Sequence, residues 1–554
     1  MAQKNNNFKK YLILNKYSVN SASALILLKY LCFFNFLYII LVFMSGCSSD
    51  NTLSYMSAIE HNQHLDVNSL YKDDIDSRGI NVELALMEKG RIAQLQGDYI
   101  DSISSYKDEI EILRQRELYD DTLPTVQLSI GSILVNDTLL AYKSRLFEIE
   151  MIYLYQSFNY LATGSLEGAM VEIRRADFLL NEAEKARENE SFDDAYFRNA
   201  ESGIQKKLFK SQYKAQPSSE NDKKYSKQQT ENKGLQNQEL SQNDIKKQAE
   251  YENLIQNASS ESFTEMGKLL SKTKSSFLNP YVIYMSGVIH ELDDELNDAY
   301  ISYKKALMLM PGNPYLQRDV ARLAIKLNKT DECNWLKADY PETWKLVTSK
   351  LMSDNDGRLV VIYEDGWVQR KQEDRISVGP VAVAYPVYRY MWKEPDPMII
   401  KYTSGIVGKS SPVCYMSALT LRALKEEGKW RAVRQAARAT VKASAFATGV
   451  TMTAASSDPS IQLAGVGVMV LSSIYNNMSE KADLRCWMTL PENIQIFTDH
   501  LPEGIHEITF TANTSQLSLK KSISISTGKT TLIWIVHIGT RLIYVQLWPR
   551  LKHD

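Results

Sequence analysis

Cysteine and histidine are scarce in this chain: 5 and 7 in 554 residues. Cys32, Cys47, Cys333, Cys414 and Cys486 stand far apart with no CxxC pair, so zinc-ribbon and thioredoxin-type spacings are excluded. At most one disulfide can join Cys333, Cys414 and Cys486, and the spacing does not say which. His290, His500, His506 and His537 form no HExxH string, and no GxSxG elbow or nucleophile with a nearby base occurs. Gly405-Ile-Val-Gly408-Lys409-Ser410 ends like a phosphate loop, but Thr403 stands where the first glycine is required. Gly528-Lys529-Thr530 fails in the same way, with Ile523 at that place. No catalytic residue, metal, cofactor or nucleotide is therefore assigned, and the chain is read as a non-enzyme.

An excess of basic charge is also lacking. There are 64 basic and 66 acidic residues, and five of the lysines lie before Cys47, which leaves 59 against 66 beyond it. A nucleic-acid binder is not expected from that balance.

Apolar runs are short everywhere except near the start. Lys4, Lys9, Lys10, Lys16 and Lys29, with no acidic residue among them, precede the run Leu31–Met44, which is broken only by Asn35. That run is shorter than the ~20 residues of a spanning helix. It ends in Ser45-Gly46-Cys47-Ser48, the pattern of a lipoprotein export signal. Residues 1–46 read as a leader that is cut away, and Cys47 as the lipidated residue. An uncleaved anchor is the alternative. Ser48, rather than Asp, follows the cysteine, which by analogy with bacterial lipoproteins favours the periplasmic side of the outer membrane over the outer face of the inner membrane.

Residues 47–211 and 253–350 carry the offsets of tetratricopeptide-like helical repeats. Gly287, Ala299, Tyr303, Ala306 and Pro311 fit one copy; Gly90, Ser102 and Tyr106 fit a second; Gly164, Ala169 and Ala176 fit a third. Small residues at these offsets let two helices approach, the tyrosine fills the gap above them, and proline stops the second helix. Ser102 and Ala169 lie 67 residues apart, so a degenerate helix pair around Thr125 to Leu146 is expected between them. Residues 212–252, with Pro217-Ser218-Ser219, Lys227-Gln228-Gln229 and Gln236-Asn237-Gln238, hold few apolar anchors and read as a disordered or loosely helical insertion.

Residues 351–490 read as a mixed domain. Arg358 to Tyr363 is a strand, Glu364-Asp365-Gly366 a turn, and Trp367 to Ser377 a strand pairing back on the first, with a third from Val381 to Tyr390. A helical hairpin follows, Tyr415 to Val450 and Ile461 to Asn476. Arg431, Arg434, Arg438 and Lys442 recur along one face of its first helix, which reads as a solvated basic face, with contact to anionic lipid as the alternative. Residues 491–554 are strand-rich and alternate like an antiparallel sandwich, giving an α+β fold overall.

The lipobox, the repeats, Gly357 to Gly366 with Lys371-Gln-Glu373, and Ala482-Asp483-Leu-Arg485-Cys-Trp487-Met-Thr-Leu490-Pro491 followed by Leu501 to His506 together resemble a family of uncharacterised proteobacterial lipoproteins. The resemblance covers nearly all of the chain after Cys47 and implies an envelope location with this two-part build. It brings no catalytic residues. In its most specific string, Trp487 and Leu490 are expected in the core, with Asp483 and Arg485 paired at a junction. A lipid-anchored adaptor holding envelope proteins or peptide segments on its repeat surface is the leading functional expectation. A hydrolase or ligand-binding lipoprotein acting on cell-wall or lipid material through the C-terminal half is the alternative.

Overall fold

Asn279-Pro280-Tyr281 and Asn313-Pro314-Tyr315 start two helices in the same way, 34 residues apart. Each asparagine side chain accepts the backbone N–H of its tyrosine, at 3.0 and 2.9 Å, and each proline fills the first turn, where no N–H is needed. The computed structural model of the protein describes residues 49–120, 137–188, 242–349, 356–378, 381–389, 391–405, 407–455, 480–512 and 515–550, and five single positions between 462 and 469. The chain divides after Ser54; Met1–Ser54 is described only from Ser49 on, and Tyr55–Asp554 is the larger unit.

Among the described residues, the helices of nine residues or more are, in chain order, α1 (Ser49–Glu60), α2 (Val82–Gln96), α3 (Tyr99–Asp120), α4 (Leu146–Ala162), α5 (Leu166–Glu188), α6 (Gln242–Glu265), α7 (Pro280–Leu292), α8 (Leu296–Leu309), α9 (Pro314–Lys326), α10 (Thr330–Asp339), α11 (Pro341–Ser349) and α12 (Met416–Ala455). Helices α2 and α3, α4 and α5, and α7 and α8 pack as pairs across short turns. A Cβ on Gly90 would stand 2.6 Å from the Tyr106 ring, and one on Gly287 would stand 2.6 Å from the Tyr303 ring. The Ser102 hydroxyl donates to the Gly90 carbonyl at 2.7 Å, and Ala169, Ala176, Ala299 and Ala306 are buried. Gly164 acts differently, since with φ +88° it makes the turn between α4 and α5. Pro311 stands exposed just past the end of α8.

Of the segment Thr125 to Leu146, assigned above to a helix pair, residues 125–136 lie outside the described residues; the described rest is one 3₁₀ turn, Asp137–Leu139, and irregular chain up to α4. The end of the 212–252 insertion belongs to α6, where Tyr251 and Ile255, one turn apart, pack on Ala432, Ala436 and Ala439 of α12. Two apolar anchors and an alanine face suffice to order a stretch whose average composition is polar.

The strands are β1 (Asp356–Asp365), β2 (Gln372–Val378), β3 (Val381–Val387), β4 (Met398–Tyr402), β5 (Val407–Lys409), β6 (Ser411–Tyr415), β7 (Asn493–Pro502), β8 (Gly504–Ala512), β9 (Leu517–Ile525), β10 (Thr530–Ile538) and β11 (Arg541–Trp548). Five make one sheet in the order β11-β10-β1-β7-β6, four make a second in the order β5-β4-β8-β9, and β2 pairs with β3. Strands from 351–490 and from 491–554 therefore share both larger sheets. The expected hairpin between β1 and the strand after Gly366 does not form. The eight interior residues of β1 are buried, and the charged run Glu373-Asp374-Arg375 is a poor neighbour for them, whereas Ile494, Ile496 and Phe497 of β7 and Leu532 to Val536 of β10 are apolar. The two glycine-lysine strings are turns: Gly405 (φ +86°) lies between β4 and β5, and Gly528 (φ +62°) between β9 and β10.

The inner side of the helical layer rests on the five-stranded sheet. Arg358 and Glu364 are six residues apart on β1 and so share a face. Arg358 donates to Glu291 and Asp319, both at 2.7 Å, and to the Tyr303 hydroxyl at 3.1 Å. Glu364 accepts from Arg91 with one oxygen and from Tyr281 at 2.9 Å with the other. Trp534 of β10 meets Phe158 edge-on, with ring centroids 5.5 Å apart. Among the described residues, no helix is long and apolar enough to cross a membrane.

Replacing Glu364 by Ala leaves the Arg91 guanidinium buried without its carboxylate and should cost about 3–5 kcal/mol of unfolding free energy. The double variant Arg91→Met/Glu364→Leu should cost clearly less. Denaturant titration of the three proteins checks this, and a single variant no worse than the double one would contradict it.

Candidate functional site

A cleft of about 150 Å³, continuous with solvent, opens where the chain before α4, the start of β2, the middle of α12 and the loop before β7 meet. Its charged lining is Lys143, Arg145, Lys371, Arg431, Arg434 and Arg485 against Asp137, Glu427 and Asp483, an excess of three positive charges. Glu427, Arg431 and Arg434 fall on one face of α12, the (i, i+4, i+7) stripe of a helix.

That stripe is the basic face of the sequence analysis, and the structure buries most of it. Arg438 is 2% and Lys442 7% exposed. Arg438 donates to Asp137 at 2.8 Å, Lys442 to Glu480 at 2.6 Å, and Arg431 to Glu427 at 3.1 Å. The solvated-face reading is thereby corrected: carboxylates distant in sequence compensate the arginines, which makes burial tolerable. Arg434 alone of the four remains about a third exposed, with its Nε 3.6 Å from Asp137. The second helix of the expected hairpin, Ile461 to Asn476, falls almost wholly outside the described residues.

The acids of the cleft are charged. Burial works against ionisation of Asp137 and Glu427, but Arg434 and Arg438 hold the first at about 2, and Arg145 and Arg431 hold the second at about 2. Burial opposes Asp483 too, and its hydrogen bond from Arg485 (2.8 Å) keeps it low. Lys371 is 7% exposed; burial, with Arg145 adding, pulls its amine down to about 8, so it is protonated at neutral pH. Its Nζ donates to the Arg485 carbonyl at 2.8 Å. Arg485 donates in turn to Asn81 at 3.0 Å and to the Asp137 carbonyl at 3.2 Å, which ties the loop of residues 480–491 to the N-terminal half.

The same loop is gripped from its other side by Glu88 of α2. Its carboxylate accepts from the Met488 N–H (2.6 Å), the Thr489 N–H (3.3 Å) and the Thr489 hydroxyl (2.6 Å). Trp487 and Leu490 are buried, as expected from the sequence.

Other residues singled out in the sequence do not converge on the cleft. Cys333, Cys414 and Cys486 are free thiols. His290 bonds Glu295 (2.7 Å) and Asp177 (2.9 Å) and so braces α7 against its neighbours. His537 bonds Asp365 at 2.7 Å across β10 and β1. Cys47 lies outside the described residues. Sequence reasoning missed Asp137, Arg145, Lys371 and Glu427, which are spread over almost 300 positions; only the (i, i+4) pair Glu427 and Arg431 was a local signal. Among the described residues no three His, Cys, Asp or Glu are placed to hold a metal ion. Comparison with protein families, curated proteins and solved structures yields no match to this chain.

Glu88 generates a pH prediction. It is 1% exposed, and burial, only partly offset by its hydrogen bonds from Thr489 and Met488, raises its carboxyl from 4.5 to about 7. The folded state then binds this proton more tightly than the unfolded chain, so the group's contribution is fully present below 4.5 and is lost as pH rises through 7. Over that window, wild type should lose about 3 kcal/mol relative to Glu88→Gln. Unfolding free energies of both proteins from pH 4.5 to 8 check this; a difference independent of pH would refute it.

Proposed function

We propose that this chain is a lipid-anchored protein of the cell envelope whose larger unit binds an anionic ligand in the cleft between α12 and the 480–491 loop. The observation that carries the reading is the cleft's excess of three positive charges, held in place by buried partners. The lipobox at Cys47 and the resemblance of the Ala482–Pro491 string to envelope lipoproteins support the location, with the periplasmic side of the outer membrane as the proposed site.

The adaptor reading takes another form. We read the helix pairs as tetratricopeptide-like, on the Gly90–Tyr106 and Gly287–Tyr303 contacts and the recurring Asn-Pro-Tyr starts. The surface on which such arrays usually hold a peptide is covered here by the chain's own sheet, through Arg91, Tyr155, Tyr281 and Tyr303. What favours a partner is the opposite side. Val171 and Phe178 on α5, and Ile301 and Met308 on α8, stand exposed at the same two offsets from Ala169 and Ala299. An envelope protein that docks there is the second reading.

Titration calorimetry with sulfate, phosphate and acetate at low ionic strength tests the first. At least one of these should bind saturably, and Arg434→Glu should remove that binding; no saturable heat with any of them would defeat the reading. For the anchor, Cys47→Ala should abolish labelling by a radioactive fatty acid and release the protein from membranes. Labelling that survives the change would refute it.

A further inference from the structure

Three side chains carry most of the cleft's charge excess, because Arg438, behind the lining, also engages Asp137. Glu427 is engaged by Arg145 at 2.6 Å and Arg431 at 3.1 Å, Asp483 by Arg485 at 2.8 Å, and Asp137 by Arg438 at 2.8 Å. Among the described residues Lys143 and Lys371 have no carboxylate within ion-pair distance, and Arg434 meets Asp137, already engaged by Arg438, only at 3.6 Å. Lys371 sits at the buried end, donates to one backbone carbonyl and has two further N–H donors. The Arg434 Nε is itself shielded from solvent and without a hydrogen bond. Lys143 is exposed, at the mouth.

We propose that the cleft takes a phosphoryl dianion, in the form of a phosphate monoester or pyrophosphate group, held by Lys371, Arg434 and Lys143. The assignment rests on the anion-binding reading above. A carboxylate returns one of the three excess charges and offers two oxygens in a plane. A phosphoryl dianion returns two and offers three oxygens in a tetrahedral array, which suits one guanidinium fork and two ammonium groups approaching from different elements. The cleft is small and open to solvent, so it encloses a phosphoryl group while the rest of an ester extends outward. A soluble phosphomonoester and a lipid bearing a terminal phosphate present the same chemistry to these three side chains.

The test uses the detergent-solubilised full chain and four probes: inorganic pyrophosphate, glycerol 3-phosphate, a short-chain phosphatidate below its micelle concentration, and acetate. At pH 7 the phosphoryl probes should bind at least tenfold more tightly than acetate. Lys371→Met and Arg434→Gln should each weaken pyrophosphate binding at least tenfold. Lys143→Ser, at an exposed position, should weaken it severalfold. Phosphatidate binding tighter than glycerol 3-phosphate supports the proposal and names a lipid as the source; equal binding supports it and names a soluble ester. Acetate as tight as pyrophosphate overturns the phosphoryl assignment and leaves the anion site standing. No binding of any probe overturns both.

Discussion

The Arg91–Glu364 ion pair is the constraint on which the architecture turns. Both side chains are fully buried, and the guanidinium lies 4.1 Å from the Tyr155 ring centroid and 5.1 Å from that of Trp534. Arg91 also donates to Gln94, and Glu364 also accepts from Tyr281. One contact therefore joins α2, α4 and α7 to β1 and β10. Desolvating both ions costs about as much as their attraction returns, so the pair is poor evidence for net stability. Its effect is on register, since any shift of β1 along the helices would strand a charge. Arg358 repeats the device six residues away, against Glu291 and Asp319.

The cleft is built on the same logic, with a different outcome. Beneath it, Asp137 and Glu480 compensate Arg438 and Lys442 completely enough to be buried. Toward solvent the acids run out before the bases do, and the surplus faces a space. A surplus held by an exposed stripe would be screened by salt and would mean little. Here it sits on side chains whose backbones are tied by Glu88, Arg485 and Arg145 to elements from both ends of the chain. That separates this cleft from an ordinary basic patch.

Much of the fold was legible in the chain itself. Gly287 and Tyr303 declared a close helix pair, because a glycine one helix away from a tyrosine is a steric requirement that two short segments settle between them. The strands after residue 490 were legible through alternation, as in β8 and β9. The pairing of β1 was not, because apolar strands compete for the same neighbours and the winner, β10, lies more than 160 residues away. The site was legible only as a stripe. Periodicity showed that Arg431, Arg434, Arg438 and Lys442 share a helix face, but nothing in that face names Asp137 or Glu480 as its partners.

The sequence by itself determined what depends on neighbours along the chain: helix starts at Asn-Pro, the glycine and tyrosine offsets, and the two-residue alternation of the strands. Backbone geometry converts each of these into structure over a few residues. Only the tertiary structure decided that the helical layer closes on its own sheet and that the basic stripe lines a cleft whose bases outnumber its acids. Burial and charge compensation are properties of segments brought together from distant positions, and local pattern carries no information about which carboxylate will meet which arginine.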